Sequence, residues 1–188
     1  MSIGYAIYLF VIATWLALLE VQIEGEHGWA AKLPCWRPSP ERLVARIYQK
    51  MMGGLPLTGY HAVMFSFVFI LLHLSFFTST SWTIAREMKV CSAYFLLAAN
   101  WDFLWFVWNP YYTLRGNNPN SIRQHKKWIL KIFPADYSKA IAVSLTFALA
   151  AAVLSNETTV ALQWLRTLLV LVGLTSASCI IQLWRGQV

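Results

Sequence analysis

Charged side chains are scarce in this chain. Asp, Glu, Lys and Arg together make up 12% of its 188 residues, whereas soluble domains carry about 25% charged residues. Hydrophobic residues make up 58%. So few charges cannot cover a water-facing surface, which excludes an ordinary soluble domain. The composition predicts an integral membrane protein with a single transmembrane domain over residues 1–188.

Several familiar signals are also missing. The three cysteines are odd in number and widely spaced, which excludes a disulfide framework and a cysteine-based zinc motif. The chain has no P-loop and no dinucleotide-binding fingerprint, so we expect no nucleotide ligand. No internal repeat is visible, which disfavours a transporter built from inverted halves.

What the chain does have is five apolar stretches, each bounded by polar or charged sequence. A helix that crosses a bilayer needs about 20 apolar residues, and only helices or closed barrels satisfy the backbone polar groups there. The sequence therefore predicts an all-α fold, a polytopic integral membrane helix bundle with about five transmembrane helices. The predicted spans are residues 3–21, 60–77, 90–108, 140–154 and 168–184.

The Lys and Arg residues are divided unequally between the two sides of this bundle. Twelve of the fifteen lie in the connections 22–59 and 109–139 or after the last span. Because basic residues mark the cytoplasmic side, we expect an N-terminus outside and a C-terminus in the cytoplasm. The basic residues are spread over two juxtamembrane loops and form no groove, so we expect membrane lipid and no nucleic acid as partner.

The first predicted span ends in a group of polar residues. On a continuous helix at about 100° per residue, Glu20, Glu24 and His27 fall within about 60° of one another. They are expected to form one polar stripe at the cytoplasmic end of this helix. Gly25 and Gly28 are the weak points of that prediction, because glycine often ends a helix.

The third predicted span carries a second polar stripe. Asp102 and Asn109 are seven residues apart and share a helix face, with Trp105 between them and Trp101 beside it. If the span ends at Asn109, Asp102 lies about 10 Å inside the boundary. A carboxylate at that depth needs a partner, a water-filled pocket or a bound proton. Residues of the first two spans, or a basic side chain from a loop, are the candidate partners.

Ionisable residues from three spans are predicted to meet at one membrane face. Glu20 ends the first span, His61 opens the second and Asp102 lies near the end of the third, all on the basic side. Such residues inside a bilayer are functional candidates, and we assign these three as catalytic, with the carboxyl groups as acid and base and His61 orienting them. The candidate substrate-binding residues are Trp101, Trp105, Asn109 and Glu24.

The cofactor is left open by the sequence, with a divalent metal ion as the candidate. Carboxylates and imidazoles are ligands of zinc and non-haem iron, and the candidate ligands are Glu24, His61, Asp102 and His125. An alternative for His125 is that its run, residues 123–133, lies on anionic headgroups. Haem is disfavoured, because His73 is rotated about 120° from His61 and lies about 18 Å away along the helix.

Three functions are compatible with these patterns. The first is an intramembrane enzyme that acts on a lipid-soluble substrate, such as an isoprenoid, sterol-like or acyl compound, near the cytoplasmic leaflet. The second is a non-catalytic subunit or assembly factor that packs against partner membrane subunits. The third is a carrier of protons or small ions, in which the same acids and histidine form a relay.

Overall fold

A computed structural model describes residues 2–78, 80–113, 128–129 and 133–184. Within these residues the structure is a helical bundle with one two-residue antiparallel pairing, Trp128–Ile129 (β1) with Phe133–Pro134 (β2). The predicted headgroup-binding run, including His125, lies largely outside the described residues. The helices are α1 (Ile3–Glu24), α2 (Leu43–Met51), α3 (Gly59–Thr78), α4 (Ile84–Trp108), α5 (Ala135–Ser155) and α6 (Thr159–Trp184).

Five of these helices, all except α2, are long and apolar enough to cross a membrane. The predicted class, a multi-pass helical membrane bundle, is therefore confirmed. Three spans begin earlier than hydropathy indicates, α4 at residue 84, α5 at residue 135 and α6 at residue 159. Charged residues near these starts are paired: Glu87 Oε1 in the first turn of α4 lies 2.9 Å from His73 Nε2, and Lys89 Nζ, one turn later, lies 3.0 Å from Oε2 of Glu157, which precedes α6.

Helix α4 lies at the centre of the bundle. It packs against α1, α3, α5 and α6, and 56% of its most apolar window is buried inside the protein, compared with 17% for α3. Helix α3 is therefore peripheral and touches the bundle mainly along α4. Because α4 contacts every other long helix, a polar group on its inner face can reach side chains from several spans.

A buried hydrogen-bond network joins α4, α5 and α6. The Ser144 hydroxyl donates to the carbonyl oxygen of Ser92 at 2.8 Å and lies 3.0 Å from the Ser92 hydroxyl. Trp164 Nε1 donates to the same Ser144 oxygen at 2.9 Å. Ala148 and Ala151 of α5 are also buried, which lets the helices approach closely. The small residues of α5 thus place a shared hydroxyl between three spans.

The connection between α1 and α3 folds back over one end of the bundle. Helix α1 ends where Gly25 takes a φ of 60°, and Trp29 and Ala30 are also left-handed, with φ of 49° and 50°. This connection also contains α2, which was not predicted because its nine residues mix apolar and basic side chains. It lies at the end where α1 and α4 finish and α3 and α5 begin, and that end carries the candidate site.

Candidate functional site

Two carboxylates and an imidazole meet where α1 ends and α3 begins. Glu20 and Glu24 are one helical turn apart, and His61 lies in the first turn of α3. His61 Nε2 lies 3.9 Å from Glu20 Oε1 and 3.7 Å from Glu24 Oε1. Glu20 and Glu24 are each 9% exposed and His61 is 2% exposed. We call these three residues the Glu–Glu–His cluster.

The His61 ring is held in place from two sides. The Thr58 hydroxyl oxygen accepts a hydrogen bond from the backbone N–H of His61 at 3.2 Å, which caps the start of α3. The same oxygen lies 2.8 Å from His61 Nδ1, and Trp29 stacks on the ring with centroids 4.2 Å apart. These contacts direct Nε2 toward the two carboxylates.

The loop of residues 25–37, here called the cover loop, closes over the cluster. The backbone N–H of Ala30 donates to Glu24 Oε1, and Arg37 donates to the carbonyl oxygen of Ala30. Arg37 also donates to the Leu33 carbonyl oxygen at 3.0 Å. The Arg37 guanidinium is thus occupied by backbone carbonyls, and Glu24 receives a backbone donor in place of a cation.

Residues after α4 fasten the cover loop to the bundle. The Asn109 side-chain amide donates to the Gly25 carbonyl oxygen at 2.8 Å, and the Tyr112 hydroxyl donates to the Glu26 carbonyl oxygen at 2.9 Å. Asn109 is 2% exposed. This places Asn109, a predicted substrate-binding residue, in contact with the loop that covers the site.

The predicted polar stripe on α1 ends at Glu24, so including His27 in it was wrong. Gly25 terminates the helix with a positive φ, and the following residues turn away. His27 Nε2 lies 3.2 Å from Glu26 Oε1, and its side chain is 32% exposed. The early helix end therefore separates His27 from Glu20.

Asp102 lies beside the Glu–Glu–His cluster and is hydrogen-bonded to a different helix. The Tyr137 hydroxyl, from the first turn of α5, donates to Asp102 Oδ2 at 2.6 Å. The Asp102 carboxyl group lies within electrostatic range of Glu20, Glu24 and His61. Tyr137 could not be singled out from the sequence, because a tyrosine near a span boundary is ordinary in a membrane protein.

The two predicted substrate-lining tryptophans are buried in the bundle. Trp101 is 3% exposed and Trp105 is 4% exposed. The Trp101 side chain lies close to the Glu20 carboxylate, but its indole N–H is buried and forms no hydrogen bond of normal geometry. The Trp105 ring packs against Tyr112, with centroids 5.2 Å apart. Trp101 thus belongs to the polar site, and Trp105 supports the anchor of the cover loop.

A mainly apolar cleft lies between α4, α5 and α6. Its volume is about 470 Å³, and its walls include Leu96, Phe103, Ile141 and Val172. Tyr137 also lines it, so the hydroxyl that bonds to Asp102 belongs to a residue of the cleft wall. Neither Trp101 nor Trp105 is among the lining residues.

The four predicted metal ligands do not all come together in the described structure. In that part of the chain, the group with metal-ligand geometry is Glu20, Glu24 and His61, whose ligand atoms lie within 4.8 Å of one another. Asp102 is instead bonded to Tyr137. His125 lies outside the described residues. Glu20, predicted as an acid or base, therefore belongs to the group of residues that could hold a metal ion.

His73 lies at the other end of α3 and is engaged through both ring nitrogens. Its Nδ1 lies 2.7 Å from the Phe69 carbonyl oxygen, and its Nε2 lies 2.9 Å from Glu87 Oε1. Glu87 also accepts from Trp82 Nε1 at 3.0 Å. His73 thus links α3 to α4 far from the Glu–Glu–His cluster.

Fold and site together define a multi-pass helical membrane protein with a buried carboxylate and imidazole cluster beneath a loop. Comparisons of this chain with protein-family models, with curated proteins and with solved structures give no match. Its function is therefore inferred from its own side chains.

Proposed function

We propose that the protein is an intramembrane enzyme that acts on a lipid-soluble substrate bound in the cleft between α4, α5 and α6. The observation that carries the proposal is the hydrogen bond from Tyr137, a residue of the cleft wall, to Asp102. An apolar cavity with a few convergent polar groups is the usual form of a small-molecule site. The cleft suits an isoprenoid, sterol-like or acyl chain, because its walls are mainly aliphatic and aromatic.

The proposed chemistry is proton transfer to or from the bound substrate, at the end of the substrate that lies near Asp102. Asp102 accepts a proton or holds one, and the Tyr137 hydroxyl donates to the reacting group or relays to Asp102. A site shielded from water can hold one acid protonated and a neighbouring acid charged. The Glu–Glu–His cluster next to Asp102 supplies charged or polar surroundings that influence which acid holds the proton.

The position of the site favours substrates that enter from one leaflet. The cluster lies at the end of the bundle where the connections 22–59 and 109–139 carry most of the basic residues. Under the positive-inside rule this is the cytoplasmic end. We therefore place the proposed reaction in the cytoplasmic leaflet.

The cleft is tested by substitution at its wall. The full chain is purified in mild detergent, and its copurified lipids are identified by mass spectrometry. Val172→Trp, which places a large ring on a lining residue, should lower the bound lipid at least about fivefold. Leu169→Trp is the matched control, since Leu169 is exposed on the same helix and is not among the cleft residues. Equal lipid content in both variants would contradict the assignment of the cleft.

The chemistry is tested with total membrane lipid extract as the probe. Products formed by the wild-type protein are detected by untargeted mass spectrometry and compared with those formed by Asp102→Asn. We expect that variant to remain folded and to lose turnover by at least about 100-fold. Asp136→Asn is the control, because Asp136 is a nearby acid whose Oδ1 lies 2.7 Å from Lys139 Nζ. Unchanged turnover in Asp102→Asn would reject the assignment.

The second candidate function is a non-catalytic subunit, and the peripheral position of α3 favours it. Val63, Phe67 and Ile70 are 68%, 54% and 66% exposed, on a helix that packs mainly against α4. In a larger complex this face would contact a partner subunit. A chain that is unstable alone in detergent and is stabilised by partner chains would favour this function over the enzyme.

A further inference from the structure

We propose that the Glu–Glu–His cluster binds one divalent transition-metal ion, through Glu20 Oε1, Glu24 Oε1 and His61 Nε2. The inference deepens the proposed function and rests on it for its catalytic meaning, but its geometry stands without it. Under it, Glu20 and His61 act as metal ligands, and Asp102 alone keeps the acid–base role.

The distances in the cluster are close to those of a metal site. Ligands about 2.0–2.1 Å from a tetrahedral zinc ion lie about 3.3–3.4 Å from each other. His61 Nε2 lies 3.9 Å from Glu20 Oε1 and 3.7 Å from Glu24 Oε1. Shifts of about half an ångström in the two flexible Glu side chains would bring these two distances to that value, and all three ligand atoms already lie within 4.8 Å of one another.

The two carboxylates of the cluster carry negative charge that a bound cation would compensate. Within the described part of the chain, no Lys or Arg forms an ion pair with Glu20 or Glu24. Two buried carboxylates this close to each other cannot both stay ionised without compensation. A divalent ion compensates both charges at once, and it leaves His61 neutral, which is the form that ligates metals.

The surroundings supply the second shell that metal ligands need. With a metal on Nε2, the proton of His61 lies on Nδ1, which then donates to the Thr58 hydroxyl 2.8 Å away. That oxygen also accepts the backbone N–H of His61, and a hydroxyl has two lone pairs for these two donors. Glu24 is fixed in a similar way by the backbone N–H of Ala30.

Unpartnered donors around Glu20 are the independent observation that points to a ligand. Trp101 is 3% exposed, and both its indole N–H and the Tyr60 hydroxyl are buried without a hydrogen-bond partner in the described structure. Both side chains are neighbours of the Glu20 carboxylate. Three protein ligands leave a coordination position for water. These donors can then be used by that water and by the outer oxygen of Glu20.

The nature of the ligands limits the choice of metal. Two hard carboxylate oxygens and one imidazole nitrogen suit zinc, ferrous iron or manganese, whereas calcium and magnesium prefer oxygen ligands alone. We therefore use Zn²⁺ as the first probe, and Co²⁺ as a spectroscopic substitute that reports coordination directly.

The test measures metal content without any enzyme assay. The purified full chain is treated with chelator, incubated with Zn²⁺, desalted and analysed by elemental mass spectrometry. We expect about one zinc per wild-type chain, and at least about a 100-fold lower affinity in Glu20→Gln. Glu26→Gln is the matched control, because Glu26 lies in the cover loop and its side chain is 58% exposed. Visible absorption of bound Co²⁺ should appear in the wild type and in the control only.

Each outcome of this experiment either supports or overturns the proposed metal site. Zinc binding that is lost in Glu20→Gln and retained in Glu26→Gln supports the site, provided that both variants elute as single species with native helix content. If Glu20→Gln misfolds, His61→Gln takes its place under the same criteria. Equal zinc content in wild type and variants, or none in the wild type, overturns the inference. Zinc binding with no lipid turnover would overturn the proposed function alone.

Discussion

Removing the Asn109 side chain should loosen the cover loop without unfolding the bundle. The Asn109 amide donates to the Gly25 carbonyl oxygen at 2.8 Å, and its oxygen accepts from the Tyr111 backbone N–H at 3.1 Å. Only the bond to Gly25 joins Asn109 to the loop, and losing it leaves the part-buried Gly25 carbonyl oxygen without this donor, so Asn109→Ala should destabilise the closed loop by about 2 kcal/mol. That corresponds to an open population about 30-fold larger.

Hydrogen exchange measures this opening directly. The backbone N–H of Leu33 donates to the Ala30 carbonyl oxygen at 3.1 Å, and the Gly59 N–H donates to the Trp36 carbonyl oxygen at 2.7 Å. Both amides should exchange faster in Asn109→Ala by about the same factor as the open population rises. Amides in the middle of α4 should keep their wild-type rates, because they do not depend on the loop.

A graded control strengthens the experiment. Tyr112→Phe removes one hydrogen bond, from the Tyr112 hydroxyl to the Glu26 carbonyl oxygen at 2.9 Å. It should cost about 1 kcal/mol and accelerate exchange by about fivefold. If Asn109→Ala leaves the exchange of the cover loop unchanged, or accelerates exchange equally across the whole bundle, then Asn109 does not fasten this loop.

Two further predictions concern the stability of the bundle, measured by reversible unfolding in mixed detergent. Ser144→Ala removes the oxygen shared with Ser92 and Trp164 and should lower the free energy of unfolding by about 1–3 kcal/mol. Thr146→Ala loses only a bond to its own helix and should change it by less than about 0.5 kcal/mol; equal effects would show that the network contributes nothing. Gly25→Ala should cost about 1–2 kcal/mol because φ is 60° there, whereas Gly173→Ala, inside α6 with nothing within 4 Å of an added Cβ, should stabilise by up to about 1 kcal/mol. The same sign for both glycine variants would contradict the backbone explanation.

The spans could be predicted because the bilayer requires each of them to be an apolar segment of about 20 residues. Apolar length alone located all five long helices. It placed the starts of α4, α5 and α6 too late, since hydropathy falls at Glu87, Asp136 and Arg166 although the backbone there remains helical. The nine-residue α2 was missed for the opposite reason, because a short segment with mixed polarity has no distinctive hydropathy.

The meeting of Glu20 and His61 could also be predicted, since consecutive antiparallel spans must end and begin at the same side. Their local geometry could not. It depends on where Gly25 ends α1 and on the left-handed backbone of Trp29, which brings that ring onto His61. The hydrogen bond from Tyr137 to Asp102 depends on how α5 packs against α4, and no periodicity within either segment encodes that register.

The hydroxyl oxygen of Thr58 makes two contacts with His61, one to its backbone and one to its ring. It starts helix α3 by accepting the third backbone N–H, and it sets the tilt of the imidazole one turn along. The orientation of the imidazole and the start of a transmembrane helix therefore depend on the same oxygen atom. A change that displaces this hydroxyl weakens the helix cap and the imidazole contact together. Serine keeps the hydroxyl and so preserves both contacts, whereas valine, although nearly the same shape as threonine, removes the oxygen on which both depend.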